Sequence, residues 1–599
     1  MLSTVPERKD VPVEYTWDLS KLFENDDAWE EALRSFEEKL PQIERFKGTL
    51  GTSPEALFRC LEFMKELDMA EERLGYYAHL KTTEDAGNST HQDRFSRYLA
   101  VSARKAALAS YQIPEIQAIP DEVMQSFLSD PLIEPYRISL SKILKFKPHV
   151  LSASEERLIA MQIESRETPQ KAFNALTNVD FDFGTIDTPE GFLPLTQSSF
   201  SVFMQHEDRS IRRKAYLQFY NTYNRHRNTL SALYEGNVQQ DIYLARARNY
   251  SSARAMSLFP DQIPESVYDN LITVVRENLQ SLHRYYGLRK KLLGLDTLRH
   301  YDVYVPLVQD IQVTYPYEKA VETVIEALEP LGREYCETLE GGLLGRWVDR
   351  YENKGKTSGA FSAGSYFGDP YILMNYKEDV LKDVFTIAHE SGHSMHSYYS
   401  VRNNPFEHYS YTIFEAEVAS TFNEQLLFSY FLKKADSKKM RAYLVGKEVD
   451  DIIATLFRQT MFAEFEHKTH WMVENGIPLT VDSLRATYRE LLTAYFGPEM
   501  EFEDVSDLEG LRIPHFYRSF YVYKYATGLS AAIALAQRVL DGGDAEREAY
   551  MNFLKSGGSR YPLESLRLAG VDMEKPEPIQ AAMNYFTRLT NELAELLGA

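Results

Sequence analysis

Apolar residues recur at helical spacing along most of this chain, between charged stretches and with few breakers. Residues 27–40 form a charged amphipathic segment after Asn25-Asp26, a good N-cap region. Segments 57–67, 70–80 and 92–111 repeat the pattern. Ser152 and Glu155 stand at capping-box spacing and predict a further helix start. Residues 211–248 predict one long helix or two in series, and 264–293 and 317–331 add more. Two stretches depart from this. Residues 181–192, with Asp, Gly, Thr and Pro at turn positions, predict a short hairpin before Leu193-Pro194-Leu195. Residues 355–376, richer in Gly, Ser and aromatics, predict strands at Ser358-Gly359-Ala360-Phe361-Ser362 and Tyr371-Ile372-Leu373-Met374-Asn375-Tyr376, around a turn at Gly368-Asp369-Pro370. The fold class is therefore mainly α with a small β-sheet. Soft boundaries near 112 and 195 give an N-terminal helical region (1–112), a helical lid region ending in the hairpin (113–195) and a large region (196–599) that holds the chemistry. No period of 20–50 residues suggests a solenoid.

Composition narrows the function. With 29 Gly and 25 Pro in 599 residues, breakers fall below their usual share of about 12%, in keeping with long helices. The net charge of −22 disfavours nucleic acid or an anionic membrane as the main partner, because both would repel it. No window reaches the roughly 18 uncharged apolar residues of a membrane span; the longest, 529–540, is interrupted by Gln537 and Arg538. Residues 1–10 have no apolar stretch and do not read as a signal peptide, so a cytoplasmic protein is expected. Cys60 and Cys336 are too few and too far apart for a disulfide framework and read as free thiols.

The chemistry is concentrated in Asp383-Val384-Phe385-Thr386-Ile387-Ala388-His389-Glu390-Ser391-Gly392-His393-Ser394-Met395-His396. On a helix, His389 and His393 at i and i+4 share one face about 6 Å apart and can bind one Zn²⁺. Glu390 then points beside the metal, placed to take a proton from an attacking water. Chance composition gives roughly 0.03 such His-Glu-x-x-His patterns in a chain of this size, so the motif is informative. A catalytic zinc needs a third ligand and an open position. Glu415, Glu417 and Glu424, on a predicted second helix after Asn403-Asn404-Pro405, are all candidates. Glu417 and Glu424 are seven apart and share a face, so one could ligate while the other holds a ligand histidine. His396 lies about 10.5 Å along the axis from His389, too far to share the metal, and reads as structural.

These residues resemble the M3 family of zinc oligopeptidases, and within it the oligoendopeptidase F branch. The resemblance is carried by 389–396, by Phe414-Glu415-Ala416-Glu417-Val418-Ala419-Ser420, by both predicted strands, by Phe457-Arg458-Gln459-Thr460-Met461-Phe462-Ala463-Glu464-Phe465-Glu466, and by His515-Phe516-Tyr517 with Phe520-Tyr521-Val522-Tyr523-Lys524-Tyr525-Ala526-Thr527-Gly528. Trp17-Asp18-Leu19 and Trp29 add to it. It implies a zincin-like catalytic domain within a helical clamshell enclosing a substrate channel. It implies one zinc with Glu417 as third ligand, endopeptidase action on short unfolded peptides, and substrate pairing along the strand at Ala360-Phe361-Ser362. It also implies that His515 and a tyrosine among Tyr521, Tyr523 and Tyr525 bind the substrate carbonyl and the developing oxyanion. If Pro514 opens a helix, Tyr517, Tyr521 and Tyr525 form a stripe and Tyr523 faces away, which favours Tyr525 and Tyr521.

Three other readings compete. An exopeptidase on the same zinc core would need a group that grips a chain terminus. A di-iron bundle could use Glu390-x-x-His393 and Glu464-x-x-His467, but leaves His389 and the strands unexplained. A non-catalytic helical scaffold is disfavoured by the presence together of His389, Glu390, His393 and Glu417.

Overall fold

The fold is that of a computed structural model, which describes residues 5–308, 311 and 313–599. Helices dominate it, as the periodicity predicts. The first amphipathic segment is the helix Asp26–Lys39, capped by the Asn25 side chain on the Ala28 N–H. The segments 57–67 and 70–80 fuse into one helix, Pro54–Glu84, because nothing between them breaks the backbone. The 92–111 stretch becomes Ser89–Ala109. Ser152 and Glu155 form the expected capping box. Residues 211–248 resolve into two helices in series, Arg209–Arg225 and Arg227–Ala247, meeting at His226. Residues 264–293 also divide in two, at Asn278, whose side chain turns back onto the Val274 carbonyl. Cys60 and Cys336 are free thiols, the first buried and the second half-buried. No helix among the described residues is long and apolar enough to cross a membrane.

By contacts the chain divides into two compact units, each assembled from three separate segments. The first comprises Met1–Pro148, Gln312–Tyr430 and Leu535–Gly570, the second His149–Ile311, Phe431–Ala534 and Val571–Ala599. This division does not follow the sequential borders expected at 112 and 195. Ile113-Pro114, read as a break, falls in the first turn of the helix Gln112–Ala118, where proline is tolerated.

In the first unit, the predicted strands are present but short. Phe361–Ala363 pairs antiparallel with Tyr371–Leu373 in the register Phe361↔Leu373, Ser362↔Ile372 and Ala363↔Tyr371. Tyr371–Leu373 is central, with Val348–Asp349 parallel on its other side, so Phe361–Ala363 is an edge strand. The N-terminal helices share one apolar core with this sheet. Trp29, Leu33 and Phe36 are buried in the same cluster as Ala363, Tyr371 and Leu373. Trp17 packs on Phe361 and Tyr371 at ring distances of 6.4 and 6.1 Å and donates its indole N–H to Glu84 at 2.6 Å. The sheet that flanks the motif helix is thereby held from its far side by residues more than 300 positions earlier.

The second unit is a helical assembly with a tyrosine-rich core. Tyr216, Tyr220, Tyr223, Tyr234 and Tyr268 are all fully buried there. Its hairpin pairs Thr185–Thr188 with Gly191–Pro194, a few residues later than expected, so that Leu193 and Pro194 belong to its second strand.

Trp29 is fully buried and its indole N–H reaches the Leu74 carbonyl at 2.9 Å. Trp29→Ala removes both packing and hydrogen bond, and is expected to lower stability by about 3–5 kcal/mol in urea unfolding followed by circular dichroism.

Candidate metal centre and active site

The motif lies in the middle of one long helix, Leu381–Asn403. A second helix, Ile413–Lys434, carries Glu415, Glu417 and Glu424. Where the two cross, Gly392 faces the backbone of the second helix. A Cβ at Gly392 would stand 2.5 Å from the Ala419 carbonyl oxygen and 2.5 Å from the Ser420 Cα. Only a residue without a side chain permits this approach. Asn423 fastens the crossing by donating to the Ala388 carbonyl at 3.2 Å.

That crossing brings His389, His393 and Glu417 together: one ligand atom from each lies within 4.8 Å of the others. The two imidazoles are 4.9 Å apart between centroids and nearly perpendicular. The three carboxylates that compete on sequence alone separate by position. Glu417 faces the His389 Nε2 at 3.9 Å. Glu424, two turns on, hydrogen-bonds the His389 Nδ1 at 2.7 Å, leaving Nε2 for a metal. Glu415 is fully buried and accepts from the Thr412 N–H and hydroxyl at 3.1 and 3.0 Å, which spends it on the start of its own helix. His393 bonds the Ala416 carbonyl through its ring, which likewise fixes the imidazole. His396 is fully buried, stacked on Tyr411 at 3.6 Å and packed near Phe553, as its structural reading requires.

The electrostatics are those of a cation site. Burial works against charging His389, but the Glu424 hydrogen bond and the charges of Glu424, Glu390 and Glu417 outweigh it and lift the imidazole to about 9. A proton there partly offsets a surplus of carboxylate charge. A divalent cation would offset it better and would displace that proton. Two imidazole nitrogens and one carboxylate form a donor set suited to zinc, with room for one further ligand. Glu390 is 6% exposed, and one of its carboxylate oxygens is buried without a partner among the described residues. Burial first, then the nearby Glu417 and Glu424 charges, push it up to about 7 against the pull of His389. A group that exchanges a proton near neutrality is suited to acid–base work.

The small sheet is pinned to this helix. Ser394 donates to the Pro370 carbonyl at 3.1 Å and meets the Ser362 hydroxyl at 2.8 Å. The edge strand Phe361–Ala363 is therefore fixed in position relative to Glu390 and His393. Ser394, Asn423 and Tyr411, whose hydroxyl reaches the His393 carbonyl at 3.3 Å, carry no signal in the sequence pattern; only packing identifies them.

His515, Tyr521 and Tyr525 belong to the second unit, whereas the histidine–glutamate cluster belongs to the first. They meet one another: His515 lies 6.4 Å from Tyr521 and 6.1 Å from Tyr525, and the two tyrosine rings are 5.3 Å apart, edge to face. The continuous tyrosine stripe expected from Pro514 is not found. Pro514–Tyr517 is a single 3₁₀ turn, and the α-helix begins only at Tyr523. Between them Phe520 has φ +57°, which a right-handed helix does not allow. Tyr517 is instead buried, packed on Phe173 at 4.6 Å, and Tyr523 is fully buried against Tyr268. Glu464, needed for the di-iron reading, is held by the Arg276 guanidinium at 2.6 and 2.8 Å.

The chain was compared with known proteins. The profile of peptidase family M3 matches residues 202–585, and that of the oligopeptidase F N-terminal region matches 115–183. An oligoendopeptidase F homolog of Borreliella burgdorferi is 42% identical, covering 97% of this chain and 98% of that protein. Oligopeptidase PepF of Bacillus subtilis is 41% identical, covering 99% of this chain and 89% of that protein. The crystal structure of a peptidase from Chlamydophila abortus superposes with a TM-score of 0.94 at 37% identity, covering 99% of this chain and 100% of that one. That of oligoendopeptidase-F from Enterococcus faecium gives 0.74 at 34% identity, covering 96% and 99%.

Two substitutions test this geometry. Gly392→Ala forces the helices apart at the Ala419 carbonyl, and Glu424→Gln weakens the hold on His389. Each is expected to reduce zinc affinity about 10–100-fold, measured by competition with a chromophoric chelator.

Proposed function

This chain belongs to peptidase family M3, and from that membership we propose the specific action: zinc-dependent hydrolysis of internal bonds in short, unfolded peptides. Membership makes it a metallo-oligopeptidase. The observation that carries the finer reading is the convergence of His389, His393 and Glu417 beside the buried Glu390.

In this reading His389, His393 and Glu417 hold the zinc, and Glu424 orients His389. Bound there, zinc supplies Lewis-acid polarisation of a carbonyl and brings the pKa of a water down to about 7. Glu390 takes the proton from the attacking water at its free carboxylate oxygen and passes it to the leaving amine. Burial beside two further carboxylates raises its pKa above the ordinary glutamate value, which suits it to serve as base and then as acid within one turnover. The edge strand Phe361–Ala363 offers backbone groups to an extended peptide, and its anchorage through Ser362 and Ser394 sets that peptide's register against Glu390. We assign His515, with Tyr521 and Tyr525, to the substrate carbonyl and the oxyanion, because all three cluster with His515 exposed and both phenols half-buried. A donor to an oxyanion lowers the barrier by about 3–4 kcal/mol. Endopeptidase action is favoured over exopeptidase action by the relatives named oligoendopeptidase F.

An internally quenched peptide of about ten residues, blocked at both ends, tests this. Internal cleavage that a chelator abolishes and zinc restores is the expected result; no cleavage of the blocked peptide by the zinc-loaded protein would overturn the endopeptidase reading. Glu390→Gln should keep its zinc and lose nearly all turnover, a drop of at least about 10³-fold in kcat.

A further inference from the structure

In the second unit, the segment between His515 and Tyr521 is held by two carboxylates that the mechanism above does not use, Glu466 buried and Asp241 half-buried. Glu466 is fully buried and has no cationic partner among the described residues. One of its oxygens accepts the backbone N–H of Phe520 at 3.0 Å, and the other has no partner there. Asp241 accepts from the Ser519 hydroxyl at 2.6 Å and faces the His470 Nε2 at 3.4 Å. Asn237 closes the arrangement, with its amide 3.3 Å from Asp241, 3.4 Å from the Ser519 hydroxyl and 3.5 Å from the Phe516 carbonyl.

The residue gripped by Glu466 is strained. Phe520 is one of three non-glycine residues with positive φ among the described residues, and a bulky side chain is disfavoured there. Its ring is buried on His470 at 4.6 Å, so the conformation is enforced by packing as well as by the hydrogen bond. Two unfavourable features, an uncompensated buried carboxylate and a left-handed phenylalanine, thus meet at one peptide unit. An ordinary helix joining Pro514 to Tyr525 would avoid the left-handed residue, but would leave Glu466 without the Phe520 N–H. The left-handed residue has a specific effect: it turns the chain so that Tyr521 returns onto His515, with the rings at 6.4 Å and nearly parallel, and Arg518 covers the Tyr521 ring at 4.0 Å. A continuous helix would not double back in this way.

We propose that Glu466, together with the Asp241–Ser519 pair, forms a positioning clamp that fixes the left-handed turn at Phe520 and thereby the mutual orientation of His515 and Tyr521. The clamp rests on the assignment of His515 and Tyr521 made above and adds the residues that act through them. Glu466 touches neither substrate nor metal in this account; it sets the angle of the phenol. The arrangement was not visible in Phe462-Ala463-Glu464-Phe465-Glu466, where two glutamates of one helix read alike. Glu464 serves Arg276 and Glu466 serves the turn.

The test uses the full-length, zinc-loaded protein. kcat, KM and zinc content are measured for Glu466→Leu, Glu466→Gln and Ser519→Ala, with the affinity of each for a phosphinic peptide whose tetrahedral phosphorus mimics the addition state. Glu466→Leu is expected to lower kcat about 10–100-fold with KM and zinc within about threefold, and phosphinic affinity should fall in parallel, since only oxyanion contacts are disturbed. Glu466→Gln keeps the acceptor oxygen and should recover most of that loss. Ser519→Ala, a small deletion that tests the clamp even if the leucine variant fails to fold, should lower kcat about 3–10-fold in the same pattern. Wild-type kcat in Ser519→Ala, or in a folded Glu466→Leu, overturns the proposal, as does a loss of kcat without loss of phosphinic affinity. His515→Ala and Tyr521→Phe separate this from the underlying reading. If neither lowers kcat, the oxyanion assignment fails and the clamp with it; if both do while the clamp variants do not, the assignment stands and the clamp alone fails.

Discussion

The candidate metal centre depends on one steric constraint, the backbone-to-backbone crossing of two helices at Gly392. A carboxylate side chain spans only a few ångströms. For Glu417 to come within reach of two histidines on another helix, the helix backbones must nearly touch. The missing Cβ at Gly392 permits it, and the Asn423 bond to the Ala388 carbonyl holds it. Everything else in the site is arranged around that contact. Glu424 reaches His389 because it lies two turns beyond Glu417 on the same face. The glycine inside His-Glu-x-x-His is thus a packing requirement of this fold, separate from the ligand chemistry of the motif.

Charge is the second organising element. Glu390, Glu417 and Glu424 converge on one half-buried His389, and their combined field raises that imidazole well above its ordinary value. The same field, with burial, raises Glu390. A cluster of this kind is unfavourable without a cation, so affinity for a divalent ion and the tuning of the acid–base group share one physical cause. The surrounding framework tolerates this because it is anchored elsewhere. Ser394 ties the motif helix to the small sheet, and the sheet shares its core with Trp17 and Trp29 of the N-terminal segments.

Position also decides the fate of chemically identical residues. Among the glutamates near the motif, Glu415 closes a helix start, Glu417 faces the His389 Nε2 and Glu424 bonds the His389 Nδ1. In the second unit, Glu464 pairs with Arg276 while Glu466 holds the left-handed turn at Phe520. None of these differences is chemical.

The sequence by itself determined the helical class, the hairpin, the strand pair before the motif, and the His389-Glu390-x-x-His393 motif of the candidate metal centre. Each rests on a local period or spacing: 3.6 residues for a helix, two for a strand, four between ligands on one face. It could not determine which acidic residue faces the histidines, because that depends on where a second helix crosses. Nor could it determine the grouping into units, since each is assembled from segments hundreds of residues apart. The tyrosine stripe failed for the same reason. Local spacing favoured a continuous helix from Pro514, but the buried Glu466 and the pocket around the Phe520 ring impose a left-handed turn that no local propensity encodes. Tertiary structure decided these points because they depend on contacts between residues distant along the chain, and such contacts leave no periodic trace in it.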